Sequence, residues 1–304
     1  MIYLILSILF LSLLPVIMRF GLEQGGKPEG MNVFYRIIPG AIALVVLFSR
    51  DNPIEFISLA VKNEAFLYGL AGTFFFWFAG YTSIKAVAHG PLGISWTIMR
   101  LSMLLPTLAS VFYWHEIPLT GIKGLTGICG LGIILASTAT ILFGIDYLKS
   151  HKNKDLSKIP HNNFRVWIYW LAASFLLRGC WEIAIRASGS LSSGEAKSIF
   201  MGTVFIGAMF LSLPGLIIYR KKINRKDIVF GVLLGICSLA GQGVRPWALK
   251  YIDGVIVFPV TSITVSLLVL VSGYLLWREK IGRFGFAGIG AAIVGILLLS
   301  VKLS

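Results

Sequence analysis

The sequence is short of charge: only 13% of its 304 residues are Asp, Glu, Lys or Arg, about half the share of an ordinary soluble domain. Carboxylates are scarcest, with 13 Asp and Glu against 27 Lys and Arg. Three cysteines, none in a Cys-x-x-Cys pair, are too few for a disulfide framework and sit inside apolar segments as packing thiols (Cys129, Cys180, Cys237). Four histidines (His89, His115, His151, His161) are scattered over connections, so no metal set is expected. A Walker phosphate loop, a Gly-x-Ser-x-Gly elbow and a His-Glu-x-x-His pair are all missing. These absences argue against an ATP-driven pump, a hydrolase and a cofactor enzyme. No enzyme activity and no cofactor is expected.

What the chain has instead is apolar length. Hydrophobic residues make up 57% of it, and the mean hydropathy is +0.84. Ten apolar segments can be marked, at Ile2–Met18, Asn32–Phe48, Ala65–Ile84, Leu92–Tyr113, Thr120–Ile145, Val166–Ile185, Ser198–Tyr219, Ile228–Trp247, Val255–Trp277 and Gly282–Val301. Each approaches the ~20 residues that a helix needs to cross the hydrocarbon. Helices keep their backbone hydrogen bonds internal, as that medium demands. The expected fold is an all-α integral membrane protein. The first run begins at once, with no basic flank or small-x-small site, and reads as a span instead of a removed signal. Pro15, Pro39, Pro106, Pro214 and Pro259 fall within spans as candidate kinks.

The net charge of +14 lies mostly in short runs between spans. There it explains topology and contact with anionic headgroups better than nucleic-acid binding. The bilayer is therefore the expected partner, and nucleic acid is not. Four arginines lie deep within spans, and Lys123 and Arg283, at the starts of spans five and ten, are counted with the connections before them. On that count 16 Lys and Arg fall on the connections after odd-numbered spans and 7 on the other face, with the heaviest runs at Lys149–Arg165 and Arg220–Lys226. The positive-inside rule then places both termini outside.

A weak internal repeat sets the expected architecture. Gly80–Leu135 lies on Gly243–Leu298 without a gap, sharing nine identities in 56 positions. They include Gly80/Gly243, Trp114/Trp277, Glu116/Glu279, Gly127/Gly290 and Gly132/Gly295. Spans three to five then match eight to ten, giving two five-helix repeats, 1–147 and 166–304, joined by a basic loop at 148–165. An odd number of spans per repeat inserts the two halves with opposite topology, an arrangement of secondary transporters.

Trp114-His115-Glu116 and Trp277-Arg278-Glu279 each precede a glycine-dotted span: Gly121, Gly124, Gly127, Gly130 and Gly132, then Gly282, Gly285, Gly288, Gly290 and Gly295. Arg36 stands in Tyr35-Arg36-Ile37-Ile38, and Arg186 follows Trp181. In these features the chain resembles the drug/metabolite transporter superfamily, in its ten-span EamA-like branch. The first span departs from the pattern, having Arg19 near its end but no Trp-Gly before it. The resemblance implies secondary transport of a small organic solute through a cavity between halves. It does not name the solute.

Ionisable residues within spans cost about 2.5–3.5 kcal/mol each at the helix centre and tend to face a cavity or a partner. Four arginines fall there, Arg36, Arg100, Arg178 and Arg245, against one carboxylate, Glu182. Arg100 could aim its fork at a carboxylate or phosphate; alternatively it caps carbonyls freed near Pro106. Arg178, Glu182 and Arg186 share one helix face at i, i+4 and i+8. That spacing suits either a structural ladder or a site in which Glu182 is the coupling group. Arg36 matches the family position. Arg245, near a span end, is expected to snorkel to water, and Lys85 and Lys250 to be interfacial. Trp77 and Tyr81 could form a cavity wall. Trp96, one turn before Arg100, and Trp181, beside Glu182, are further candidates, with Gln242 as an uncharged polar one. Glu116 and Glu279 are expected to cap the following helix.

The leading reading is a transporter or exchanger of a small organic metabolite, leaning to an anionic one. A flippase for a phosphate-linked polar lipid and a non-transporting anchor subunit stay open. The expected location is a bacterial inner membrane, and a second copy of the chain is a candidate partner.

Overall fold

The computed structural model describes residues 2–49, 51–89, 92–115, 161–191, 193–219, 223–277 and 282–300, with scattered residues between 131 and 145. Twelve helices and no strand occur among them. They are α1 (Ile2–Glu23), α2 (Pro28–Phe48), α3 (Pro53–Lys62), α4 (Glu64–His89), α5 (Leu92–Leu101), α6 (Leu104–Phe112), α7 (His161–Gly189), α8 (Gly194–Tyr219), α9 (Arg225–Gly243), α10 (Arg245–Tyr251), α11 (Gly254–Trp277) and α12 (Arg283–Ser300). Six stretches among the described residues are long and apolar enough to span a membrane: Ile2–Glu23, Pro28–Phe48, Arg165–Gly189, Gly194–Tyr219, Arg225–Tyr251 and Gly254–Leu276. The chain is an all-helical, multi-pass integral membrane protein. Most of the expected fifth span, most of the connection at 148–165, and Cys129, Glu116, Arg278 and Glu279 lie outside the described residues.

The helices differ from the expected spans in three places. First, the connection after span two contains α3. Its start has Pro53 in the first turn with Glu55, and Lys62 closes it, the charge order that suits the helix dipole. Second, the expected fourth span is two helices, α5 and α6, divided at Ser102 and Met103. Pro106 has no N–H to give to the Ser102 carbonyl, which instead takes the Leu105 amide at 3.1 Å. The Arg100 carbonyl similarly takes the Met103 amide at 3.2 Å. Third, the expected eighth span divides at Val244 into α9 and α10, next to Pro246.

The chain forms two compact units, Met1–Ile84 with Ala184–Lys250, and Lys85–Ile183 with Tyr251–Ser304. Each unit draws on both halves of the sequence. In the first, α2 packs against α8 and α9, and α1 against α9, around the buried Leu11, Met31, Phe200 and Leu234. Asn224 and Asp227 form a capping box at the start of α9. The buried Asp227 carboxylate also accepts the Lys27 amide at 2.5 Å, tying the α1–α2 turn to α9. In the second unit, α11 packs against α5, α6 and α12, with Met103, Ala139, Ile263 and Ala292 at the core. The Trp167 indole donates to Ser95 Oγ at 2.9 Å, joining α7 to α5.

Candidate functional site

In the second unit, two helices deliver cations to one ring. Trp96 and Arg100 are one turn apart on α5, and the Arg100 guanidinium lies 5.1 Å from the centre of the Trp96 ring. Arg178 comes from α7, with its guanidinium 5.3 Å from the same ring. Both distances fall within the cation–π range. Trp96 and Arg100 are buried, as are Trp181 and Glu182 on α7. The Trp96 indole N–H is buried without a hydrogen-bond partner among the described residues. The cluster therefore presents two cationic forks and a neutral donor, with Glu182 one turn from Arg178. Its donor set suits a carboxylate or a phosphate, because those groups accept several hydrogen bonds at once.

The break between α5 and α6 positions Arg100. Its backbone carbonyl takes Ser262 Oγ of α11 at 3.2 Å as well as the Met103 amide. The Arg100 backbone is thus held from a second helix while its side chain reaches the indole. Arg178 is positioned by α7, whose Gly179 has its side-chain space filled by Leu105 of α6. This close approach brings α7 against the broken span.

The other expected site residues fall in the first unit, in three groups. Arg36 on α2 is fully buried, with its guanidinium 4.2 Å from the Tyr35 ring and 3.7 Å from the Phe76 ring. It also occupies the space where Gly80 would carry a Cβ. Trp77 and Tyr81 stack with ring centres 5.7 Å apart, and the Trp77 indole donates to Ser212 Oγ at 2.8 Å. Gln242 accepts from the Arg245 guanidinium at 3.1 Å. Arg245 is buried and does not snorkel to water, because the break after Gly243 leaves its side chain beside the end of α9.

Several participants carried no sequence signal. Tyr35 and Phe76 are ordinary apolar-run residues until Arg36 is seen between them, and Ser262 is one of several hydroxyls on α11. Lys197, at the margin of an expected span, is fully buried. Its ammonium caps the C-terminal carbonyls of α7, donating to Gly189 O at 3.0 Å and to Leu191 O. Among the described residues no group of three or more His, Cys, Asp or Glu is placed to hold a metal ion.

Comparison with known proteins adds a family and a fold. Residues 165–301 match the EamA-like transporter family, which bears out the family resemblance over the second half of the sequence. A solved crystal structure of a protein superposes with a TM-score of 0.68 at 12% identity, covering 99% of this chain and 96% of that one. At that identity the likeness speaks for the fold alone. No curated protein matches the chain.

Proposed function

From a chain that carries an EamA-like transporter domain, within the drug/metabolite transporter superfamily, we propose a secondary transporter or exchanger of a small anionic metabolite. The substrate bears a carboxylate or phosphate and moves by alternating access. One observation carries this reading: the Arg100 and Arg178 guanidiniums meet on the buried Trp96 ring, 5.1 and 5.3 Å from its centre. Two guanidiniums drawn from different helices onto one ring bring two planar forks to one place, a geometry that matches a carboxylate or phosphate. The Trp96 N–H adds a neutral donor. Glu182, one turn along α7 from Arg178, is the coupling group, displaced from the arginines when the substrate arrives. Arg36 and the Trp77–Tyr81 stack brace the first unit.

The proposed architecture is ten spans in two inverted five-helix repeats, 1–147 and 166–304, in a bacterial inner membrane. The division into compact units supports it. The unit boundaries at Ile84 and Lys250 are 166 residues apart (250 less 84), close to the 163-residue offset of the sequence repeat (243 less 80). Equivalent segments of the two halves thus enter the same unit. Only α7, divided at Ile183, departs from the scheme.

A thermal-shift screen of detergent-purified protein tests the substrate class. The panel runs sugar phosphates, dicarboxylates, amino acids, sugars and amines over wild type, Arg100→Ala and Arg178→Ala. A ligand that binds only the folded state raises the melting point, by about 2.7 kcal/mol of stability at a hundredfold excess over Kd. The expected result is stabilisation by anions that disappears in both variants. Stabilisation by neutral or cationic solutes, unchanged in both variants, would overturn the reading.

A further inference from the structure

The first unit contains a cavity of about 610 Å³ that the transport reading does not use. Its walls come from the C-terminal half of α2, from α3, the start of α4, α8, and the junction of α9 and α10. No charged residue lines it. The two hydroxyls in its lining are already engaged with their own helix, Ser198 Oγ donating to Gly194 O at 3.0 Å and Thr203 Oγ1 to Ile199 O at 2.8 Å. Only the Trp247 indole remains as a polar side-chain group. Water needs two to four polar partners to settle in such a space, and a polar solute needs more. The volume falls within the usual range for a small-molecule pocket, about 300–1,000 Å³.

The cavity is continuous with the outer surface. Val46, Phe48 and Val61 line it and are also 57%, 63% and 54% exposed. In a multi-pass membrane protein, apolar residues so exposed meet lipid tails. The mouth lies where α2 ends at Phe48 and beside Lys62 of α3, at the boundary from which a lipid's acyl chain can enter, and an empty void would forfeit the dispersion contacts that a chain supplies. Gly202 of α8 marks the floor: it lines the cavity, and a Cβ built there meets no atom within 4 Å.

We propose that this cavity is a binding site for one acyl chain of a bilayer phospholipid, which enters beside α3 and ends against Gly202. The pattern of α3 fits that role. Phe56 and Ala60 line the cavity, while Ile54 and Leu59 are exposed together with Glu55 and Lys62, the mixed outer face of a helix at the headgroup boundary with the captured chain on its inner side. The site shares no residue with the arginine cluster and survives if the anionic substrate is wrong.

The test is photolabelling of the full chain in nanodiscs doped with a phospholipid carrying a diazirine near the end of its acyl chain. Labelled positions are mapped by peptide mass spectrometry. The expected result is labelling of the Phe56–Ala60 and Met201–Phe205 segments several-fold above that of the outer surface around Ile217. Gly202→Phe puts a ring into the cavity from a position where a Cβ meets no atom within 4 Å, with a better helix former than glycine, so it should abolish cavity labelling and leave the Ile217 segment unchanged. Equal labelling of cavity and outer surface in wild type overturns the proposal, whether or not the variant folds. So does labelling of an Ala60→Cys thiol by a membrane-impermeant maleimide, which would place water in the cavity. A second copy of the chain covering the mouth would exclude the lipid label from these segments, and that result also overturns it.

Discussion

Arg36 and the Arg100–Arg178 pair are the same residue type in the same medium, yet the structure treats them in opposite ways. Arg36 is enclosed: Tyr35 and Phe76 stand over its guanidinium, and the missing side chain of Gly80 makes the room it fills. Arg100 and Arg178 are brought by separate helices to a single ring. An enclosed cation stabilised by two aromatic faces has its surroundings fixed by the fold. Two guanidiniums that converge on one ring from separate helices present two forks to one place, which suits an anionic ligand. The count of buried arginines alone therefore does not identify a site; what matters is how many elements deliver charge to one place.

The largest effect that would break this contrast comes from Gly80. Gly80→Ala places a methyl group where the Arg36 guanidinium sits, and overpacking of that kind costs about 1–3 kcal/mol. We expect the upper end, read as a lower melting point and loss of the monodisperse peak on size exclusion. In an Arg36→Ala background the same change should cost almost nothing, since neighbouring residues couple in a double-mutant cycle. Equal costs in both backgrounds would mean that Arg36 is free to move, and the contrast would fail.

Trp96 gives the next effect. Trp96→Leu removes the shared ring from both guanidiniums and should lower stability by about 2 kcal/mol, the size of a desolvated cation–π contact. Trp96→Phe keeps a ring and loses only the indole N–H. Its melting point should stay near wild type while the anion-induced shift shrinks. If Trp96→Phe bound anions as wild type does, the indole donor would have no part in the site.

Much of this was legible before the structure. Apolar run length carries the helices, since Ile2, Phe48, Tyr219 and Trp277 end helices where hydropathy ends them. The scarcity of charge within spans singled out Arg100 and Arg178, and Trp96 was a candidate as the ring one turn before Arg100; the structure brings the three together. The breaks were not legible, because Pro106 and Pro246 stand in the sequence like Pro15 and Pro39, which lie within unbroken helices. Whether a proline divides a helix depends on what takes the freed carbonyl, and at Arg100 part of that answer comes from Ser262, 162 residues away. The partners of Arg36 were hidden for a related reason. Five consecutive aromatics at 74–78 cover every face of α4, and only packing selects Phe76 as the buried one and Phe74 as exposed.

The smallest effect sharpens the contrast at the backbone. Arg36 lies inside a continuous α2, whereas Arg100 lies in the last turn of α5 and shares its carbonyl between the Met103 amide and Ser262 Oγ. Ser262→Ala removes one of these two donors and leaves the other, so the loss of stability should be about 0.5–1 kcal/mol, at the low end for a single hydrogen bond. Its effect on ligand should be proportionally larger, because the hydroxyl ties α11 to the residue whose side chain reaches Trp96. Ser262→Thr keeps the hydroxyl and should restore the anion-induced shift in melting point. If Ser262→Ala lowered stability yet left that shift intact, the helix break would be a packing feature and Arg100 would be positioned by Trp96 alone.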